Sequence, residues 1–208
     1  MCPNQPPRNR VYNDELVLYY SDQRDPKYGQ KMTHQTTKDL LTWADAVDDV
    51  RDDSNYESRP GMPTLALLPD GNYILTYETC GPDSCRVSYK LAKDPLALLD
   101  APASPLASTA GTRAVGSPYV VWTPLGGPDG TIVASCGTNS KIFVNQKLGA
   151  PDAWVEHDVP QPTAYTRALL PLRGDGSQLA IIGAGKLPPS SDNRVSLSVV
   201  DLATIIGA

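Results

Sequence analysis

A tight Asp-Gly turn recurs three times in this chain, each time between two apolar segments. The copies are Asp70-Gly71, Asp129-Gly130 and Asp175-Gly176. Glycine supplies the positive φ that a tight β-hairpin turn requires, so each copy predicts a hairpin. The turn glycines are 59 and 46 residues apart, which is a spacing typical of antiparallel propeller blades. The repeat therefore predicts an array of propeller blades.

The remaining apolar pattern also favours a β structure. Apolar residues alternate with a period near two, and the segments end in turns rich in Gly, Pro, Asp and Asn. Sixteen glycines and 20 prolines in 208 residues argue against long helices. We predict an all-β chain of about four blades. Its strands are predicted at residues 16–20, 32–36, 64–68, 73–78, 86–91, 119–123, 131–136, 141–145, 168–172, 179–182 and 195–200.

Four blades suggest part of a larger ring. A propeller closes when its last blade meets its first, and an open array leaves apolar blade faces and strand edges exposed. We therefore expect residues 11–208 to form a partial propeller domain. Residues 1–10 lack the apolar core of a secretory signal. We expect them to be an irregular lead that is not native to the domain.

Charge and composition argue against several functional classes. The net charge of −5 provides no basic field for nucleic acid, and no apolar run reaches the length of a membrane span. We expect no metal or other cofactor, because His34 and His157 lack the spacing of metal ligands and the cysteines are few and scattered. Cys80 and Cys85 flank a short turn, which fits either a small disulfide loop or two free thiols.

Two local patterns predict loops. Residues 45–53 contain five carboxylates without the Asp-x-Asp-x-Asp-Gly order of a calcium loop, so we predict a solvated acidic turn. Residues 37–43 and 151–154 each place an Asp shortly before a Trp. Both are degenerate relatives of the Asp-box turn, in which the Asp ties the loop backbone and the Trp packs under the blade. An ordinary loop with a core Trp is the alternative.

Several segments together resemble the sialidase-like fungal exo-α-1,5-L-arabinanases of glycoside hydrolase family 93. In order and spacing they fit the family from about Val11 to the C-terminus. They are residues 16–26, Arg59-Pro60-Gly61-Met62, Tyr77-Glu78-Thr79-Cys80-Gly81, Gly116-Ser117-Pro118-Tyr119, residues 126–132, and Ala164-Tyr165-Thr166-Arg167. The resemblance implies a secreted, monomeric six-bladed propeller. It also implies release of arabinobiose from the non-reducing end of arabinan, with retention of configuration.

The resemblance assigns one catalytic residue and leaves the other missing. Glu78 falls on the family's catalytic glutamate, and we assign it the acid/base role. A retaining mechanism needs a second carboxyl about 5 Å away as the nucleophile. The family carries it in a Trp-Glu-Pro segment before the strand that begins here at Leu16, whereas residues 4–10 contain neither Trp nor Glu. We therefore expect a C-terminal fragment with negligible glycosidase activity.

Five further residues are candidates for substrate binding. Arg59 and Arg167 are charged residues next to strand starts, where an arginine could orient sugar hydroxyls, or link blades. Tyr119 and Tyr165 could stack on a furanose ring, although Tyr119 also fits a core position. Asp22 ends an apolar strand and could bind hydroxyls, with an ordinary turn role as the alternative.

Two other functions fit the same features. A catalytically inactive carbohydrate-binding propeller would keep the sugar contacts after losing the nucleophile. A sialidase, or another sialidase-like glycosidase, is the second alternative. A true sialidase needs three arginines that converge on the sialate carboxylate, and only Arg59 and Arg167 suggest themselves here.

Overall fold

Antiparallel hairpins organise the chain into four sheets. The structure is a computed structural model, and it describes residues 11–81, 84–137, 140–161, 164–185 and 194–208. The expected irregular lead, residues 1–10, lies outside these ranges. The described strands are β1 (Val11–Tyr12), β2 (Glu15–Asp22), β3 (Lys31–Thr37), β4 (Val47–Val50), β5 (Arg59–Leu67), β6 (Tyr73–Cys80), β7 (Cys85–Ala92), β8 (Ala103–Pro105), β9 (Tyr119–Thr123), β10 (Thr131–Ser135), β11 (Lys141–Asn145), β12 (Trp154–Asp158), β13 (Thr166–Leu172), β14 (Gln178–Ala184) and β15 (Val195–Asp201).

The sheets are the blades of a partial propeller. Their strand orders are β1-β2-β3-β4, β5-β6-β7-β8, β9-β10-β11-β12 and β13-β14-β15, with antiparallel neighbours throughout. Strand β2 packs against β5, β5 against β9, and β9 against β13. Successive blades therefore pack against one another, through the second strand of blade 1 and the inner strands of blades 2, 3 and 4.

The three predicted Asp-Gly turns join the first two strands of blades 2, 3 and 4. Gly71, Gly130 and Gly176 have φ of 80°, 63° and 69°, the conformation that such turns need. Blade 1 uses Asn13-Asp14 instead, with φ of 51° and 61°. Asn and Asp tolerate this region better than most residues. The prediction from glycine missed this fourth hairpin because its turn contains no glycine.

Apolar clusters fill the spaces between the blades. One contains Val17, Met32 and Leu75 between blades 1 and 2. A second joins blades 2 and 3 around Trp154, and a third joins blades 3 and 4. The fold therefore depends on contacts between blades as well as on the hairpins.

The acidic segment 45–53 is not a solvated turn, so that prediction is wrong. Residues 47–50 form β4, which pairs with β3. Asp49 is fully buried, and it bonds to His34 Nδ1 at 2.9 Å. Burial raises the pKa of Asp49. The prediction failed because the hydrogen bond to His34, on the neighbouring strand, offsets the cost of burying this one carboxylate of the acidic run.

Each of the two Asp-box relatives shows one of the two expected features, either the Asp that binds the loop backbone or the buried Trp. Asp39 accepts hydrogen bonds from the backbone N–H groups of Leu41 and Thr42, at 2.9 and 2.8 Å. Trp43 in the same loop is half-buried. In the second copy Trp154 is fully buried, while its Asp152 is exposed.

Blade 4 carries an exposed apolar face. Within the described residues it has three strands, and Val195, Leu197 and Val199 of β15 are 72%, 65% and 52% exposed. These alternate positions share one face of the strand. The described part of the chain has one helix, α1 (Leu202–Ile206), which is too short to cross a membrane.

Replacing Gly130 tests the hairpin geometry. A Cβ there would lie 2.4 Å from the Thr123 carbonyl oxygen and 2.7 Å from the Trp122 ring. At Gly111, with φ of 90°, a Cβ would meet nothing within 4 Å. We expect Gly130→Ala to lower the free energy of unfolding by about 3 kcal/mol and Gly111→Ala by about 1 kcal/mol, since both strain φ but only the first also overpacks. Urea unfolding measures both, and equal losses would contradict the clash.

Candidate active site

The predicted site residues collect at one end of the blades. This end, which we call the rim, is where the inner strands begin and the second strands end. Glu78 lies near the end of β6, and Asp22 ends β2. Arg59 and Tyr119 begin β5 and β9, and Arg167 is the second residue of β13. Tyr165 directly precedes β13. The antiparallel pairing thus places on one rim residues that are far apart in the sequence.

Glu78 is held by a backbone donor from the next blade. Its side chain is half-buried, and Oε2 accepts a hydrogen bond from the Ser117 N–H at 2.5 Å. Ser117 belongs to the segment that leads into β9, and it is 4% exposed. Within the described residues, the Ser117 N–H is the one hydrogen-bond partner of the Glu78 side chain. The carboxylate is therefore fixed by the protein at one oxygen.

A disulfide lies beside this carboxylate. Cys80 and Cys85 are bridged across the hairpin between β6 and β7, which decides between the two readings that the sequence left open. The two sulfurs and a carboxylate oxygen of Glu78 lie within 4.8 Å of one another. Sulfurs joined in a disulfide offer no thiolate, so this group lacks the ligands that a soft metal ion needs.

Arg59 lies on the same sheet face as Glu78. Arg59 pairs with Cys80 and Gly61 pairs with Glu78 across β5 and β6. Arg59 and Glu78 are thus diagonal neighbours, which are typically about 7–8 Å apart between Cα atoms. The Arg59 side chain is exposed at the rim. Its position suits an arginine that orients a ligand beside Glu78.

Arg167 is buried and links two blades. It is 2% exposed, and its Nη1 donates to the Cys136 carbonyl oxygen of blade 3 at 2.6 Å. Burial lowers the pKa of Arg167. These contacts correspond to the blade-linking role that the sequence left as the alternative, and the predicted role in substrate binding stays a prediction.

The two tyrosines differ in exposure. Tyr165 is 52% exposed, so its ring is accessible at the rim. Tyr119 is partly buried and packs against the apolar cluster of blades 3 and 4. Tyr119 therefore contributes to the core, as the alternative held, and Tyr165 is the better placed of the two to stack on a sugar.

Asp22 is already engaged by a neighbour. Its Oδ1 accepts from Arg24 Nε and its Oδ2 from Arg24 Nη2, both at 2.9 Å. These hydrogen bonds lower the pKa of Asp22 to about 2, although burial opposes them. Both oxygens stabilise the turn after β2, so sugar binding by Asp22 would require them to exchange partners.

The Asp22 pair predicts a specific pH dependence. The folded pKa of about 2 lies below the usual value near 3.9, so the pair stabilises the fold above pH 4 and loses this effect as the pH falls towards 2. We expect Asp22→Asn to be less stable than the parent at pH 6 and equal to it near pH 2. Urea unfolding across this range measures the difference. A difference that stays constant with pH would show that Asp22 acts through packing.

One apolar cavity lies away from this rim. It measures about 320 Å³ and faces the inner strands of all four blades. Its lining includes Thr123, Pro124 and Gly176, which belong to the opposite, hairpin end. Tyr119 is the site candidate that borders it. The cavity therefore lies between the inner strands, and Glu78 is not part of its lining.

Sequence reasoning missed the partner of Glu78. In the sequence, Gly116-Ser117-Pro118 stands out only as part of a family segment, which predicts no role for Ser117. A Gly-Ser-Pro turn just before a predicted inner strand carries a weak signal, since turns of this kind are common. Its contact with Glu78 joins residues that are 39 positions apart, and local sequence does not reveal such a pairing.

Two solved glycosidases are similar to this chain in both sequence and fold. The GH93 α-L-arabinofuranosidase of Fusarium graminearum, solved with arabinobiose, is 50% identical with a TM-score of 0.89. The Penicillium chrysogenum α-L-arabinanase complexed with arabinobiose is 42% identical with a TM-score of 0.88. Each superposition covers 94% of this chain, but 57% and 56% of the two relatives. This chain therefore spans less than two thirds of their length.

A more distant likeness concerns the fold alone. Zg3597, a family 117 glycoside hydrolase of the marine bacterium Zobellia galactanivorans, is 13% identical with a TM-score of 0.62. No family model matches the chain, and no curated protein matches it.

Proposed function

This chain belongs to glycoside hydrolase family 93, and we therefore propose that its rim is part of a site that binds and cleaves α-1,5-linked arabinan. The observation that carries the proposal is Glu78, whose half-buried carboxylate is anchored at one oxygen by Ser117. Exposed Arg59 and Tyr165 lie on the same rim. A carboxyl group, a guanidinium group and an aromatic ring can together bind a neutral sugar, through hydrogen bonds to its hydroxyls and stacking on its ring. Both similar structures hold arabinobiose, which supports an arabino-oligosaccharide as the ligand.

The reaction that we propose is retaining hydrolysis from the non-reducing end, with release of arabinobiose. Glu78 first protonates the glycosidic oxygen as the bond breaks, and then deprotonates the attacking water. A retaining mechanism also needs a nucleophilic carboxylate about 5 Å from the acid/base residue. At residues 4–10, where the family carries this carboxylate, the chain has neither Trp nor Glu. We propose that the 208-residue chain binds the sugar but has negligible hydrolytic activity.

Secretion is a further part of the proposal. The Cys80–Cys85 disulfide supports an oxidising compartment, because cytosolic thiols are generally kept reduced. We propose that the domain acts outside the cell as a monomer, on arabinan of plant cell walls.

One experiment separates binding from cleavage. Linear debranched arabinan and arabinobiose are offered to the 208-residue chain, and to a fusion that joins it to the part of the Fusarium relative that it does not cover. We expect arabinobiose to bind to both proteins by calorimetry. Only the fusion should release arabinobiose, and proton NMR should show that the first product retains its anomeric configuration. Cleavage of other polysaccharides, but not of arabinan, would overturn the substrate assignment.

The non-catalytic alternative is tested by the same samples. If the fusion folds and binds arabinobiose but releases nothing, the chain is a carbohydrate-binding propeller. If neither protein binds arabinobiose, both functions fail.

A further inference from the structure

The Gly116–Ser117 turn has a backbone conformation that few sequences adopt. Gly116 has φ of 71° and Ser117 has φ of 38°. Positive φ is ordinary for glycine but uncommon for a residue with a side chain. Strain of this kind persists only where the surroundings hold it in place. The conformation turns the Ser117 N–H towards Glu78.

Three attachments hold the turn. The Gly116 N–H donates to the Cys85 carbonyl oxygen at 3.2 Å, and the Gly116 carbonyl oxygen accepts from the Gly137 N–H at 3.1 Å. Ser117 itself donates to Glu78. Gly116 and Ser117 are both buried, so water competes little for these hydrogen bonds. The turn is thus tied to blade 2 on one side and to blade 3 on the other.

The disulfide closes a ring of covalent and hydrogen bonds that begins and ends at Glu78. Cys80 lies two residues after Glu78 and is bonded to Cys85, whose carbonyl oxygen holds Gly116. Ser117 then returns to Glu78 Oε2. The backbone of Glu78 is thus connected through the disulfide to the same turn that binds its carboxylate. This connection limits rotation of the carboxyl group.

From these contacts we propose that the Gly116–Ser117 turn is a positioning device that assigns different roles to the two oxygens of Glu78. Oε2 is the anchored oxygen, and Oε1 exchanges the proton. This inference rests on the proposed function for the reaction it serves. In the first step the Oε1–H bond breaks and the proton goes to the glycosidic oxygen. That oxygen keeps the electron pair of its broken bond to the anomeric carbon, and the nucleophilic carboxylate bonds to that carbon. In the second step Oε1 takes a proton from a water molecule whose oxygen bonds to the anomeric carbon, while the bond between that carbon and the nucleophilic carboxylate breaks.

The physical reason is the direction of the hydrogen bond. An N–H group can only donate, so Oε2 must accept and cannot direct its own proton along that line. Oε1 is left as the position for the proton in the acid form. A general acid is efficient only when its proton is aimed at the leaving oxygen within hydrogen-bond reach, and a fixed carboxyl plane provides this aim.

The test observes the hydrogen bond directly in the 208-residue chain. An amide proton that donates to a carboxylate resonates downfield of ordinary amides, so we expect a downfield Ser117 resonance in the ¹⁵N-labelled protein. Glu78→Gln replaces the carboxylate by a neutral amide and should move this resonance upfield. If the resonance does not respond to Glu78→Gln, the proposal is overturned.

A variant series tests the role of the backbone. Ser117→Gly and Ser117→Asn tolerate positive φ and should keep the downfield resonance at position 117. Ser117→Val, which is β-branched, should lose it. Retention in Ser117→Val, in a spectrum otherwise like that of the parent, would overturn the proposal. So would loss in Ser117→Gly. Because the readout involves no turnover, its failure is distinguishable from a failure of arabinan hydrolysis.

Discussion

Glu78→Gln abolishes most of the arabinan hydrolysis of the fusion protein, with an expected loss of about 10²- to 10⁴-fold in kcat. This is the range that a positioned general acid contributes. Glutamine keeps the size of the side chain and an oxygen that can accept from the Ser117 N–H, but it carries no proton to give to the glycosidic oxygen. The initial rate of arabinobiose release from linear arabinan measures the loss.

The leaving group separates acid catalysis from other roles of Glu78. The nitrophenolate leaving group of a nitrophenyl arabinoside departs without protonation. The rate of the first step with this substrate should therefore fall much less in Glu78→Gln than the rate with arabinan. Glu57→Gln is the matched control, since Glu57 is an exposed glutamate outside the rim contacts described. Equal losses on both substrates would mean that Glu78 does not act as the acid. A loss in Glu57→Gln as large as that in Glu78→Gln would point to a general effect on the fold.

Trp154→Ala is expected to lower the free energy of unfolding by about 3–5 kcal/mol, as large-to-small changes of buried aromatic residues do. Trp154 is 0% exposed and contacts Tyr89 of blade 2 edge to face, with ring centroids 5.5 Å apart. Its removal opens a cavity in the cluster that joins blades 2 and 3. Since a domain is typically stable by only about 5–15 kcal/mol, the variant should be close to unfolding at room temperature.

Trp43→Ala is the matched control for the core substitution. Trp43 is half-buried in the loop that Asp39 ties, so its loss should cost about 1 kcal/mol or less. Urea unfolding followed by far-ultraviolet circular dichroism measures both variants without relying on tryptophan fluorescence. Similar losses in the two variants would mean that Trp154 does not connect the blades in the way described.

The strands that the sequence predicted are those with strong local signals. All eleven predicted strands are present, because each has an apolar alternation bounded by turn residues. The strands that it missed, β1, β4, β8 and β12, are short or polar. Three of them are the outermost strands of their blades. Such edges bury little surface, so their sequences carry a weak pattern.

In the site too, the sequence predicted the residues with local signals and missed the contacts between distant segments. Glu78, Arg59 and Tyr165 were predicted from family segments and strand ends, and the structure brings them to one rim. Whether Arg167 faces a ligand or a neighbouring blade could not be predicted, because its burial depends on the Cys136 carbonyl oxygen 31 residues away. The same holds for Asp49. The run of acidic residues around it predicted exposure to solvent, but in the structure Asp49 is buried against His34.

By itself the sequence determined the three Asp-Gly hairpins and the blade repeat, and it singled out Glu78. Turn geometry and strand alternation depend on only a few neighbouring residues, so short segments of sequence are enough to predict them. Only the tertiary structure decided how Glu78 is held and that Arg167 is buried. These outcomes depend on which strand ends meet when the blades pack, and packing is set by contacts between distant segments. The anchoring of Glu78 by Ser117 is thus a property of the assembled blades.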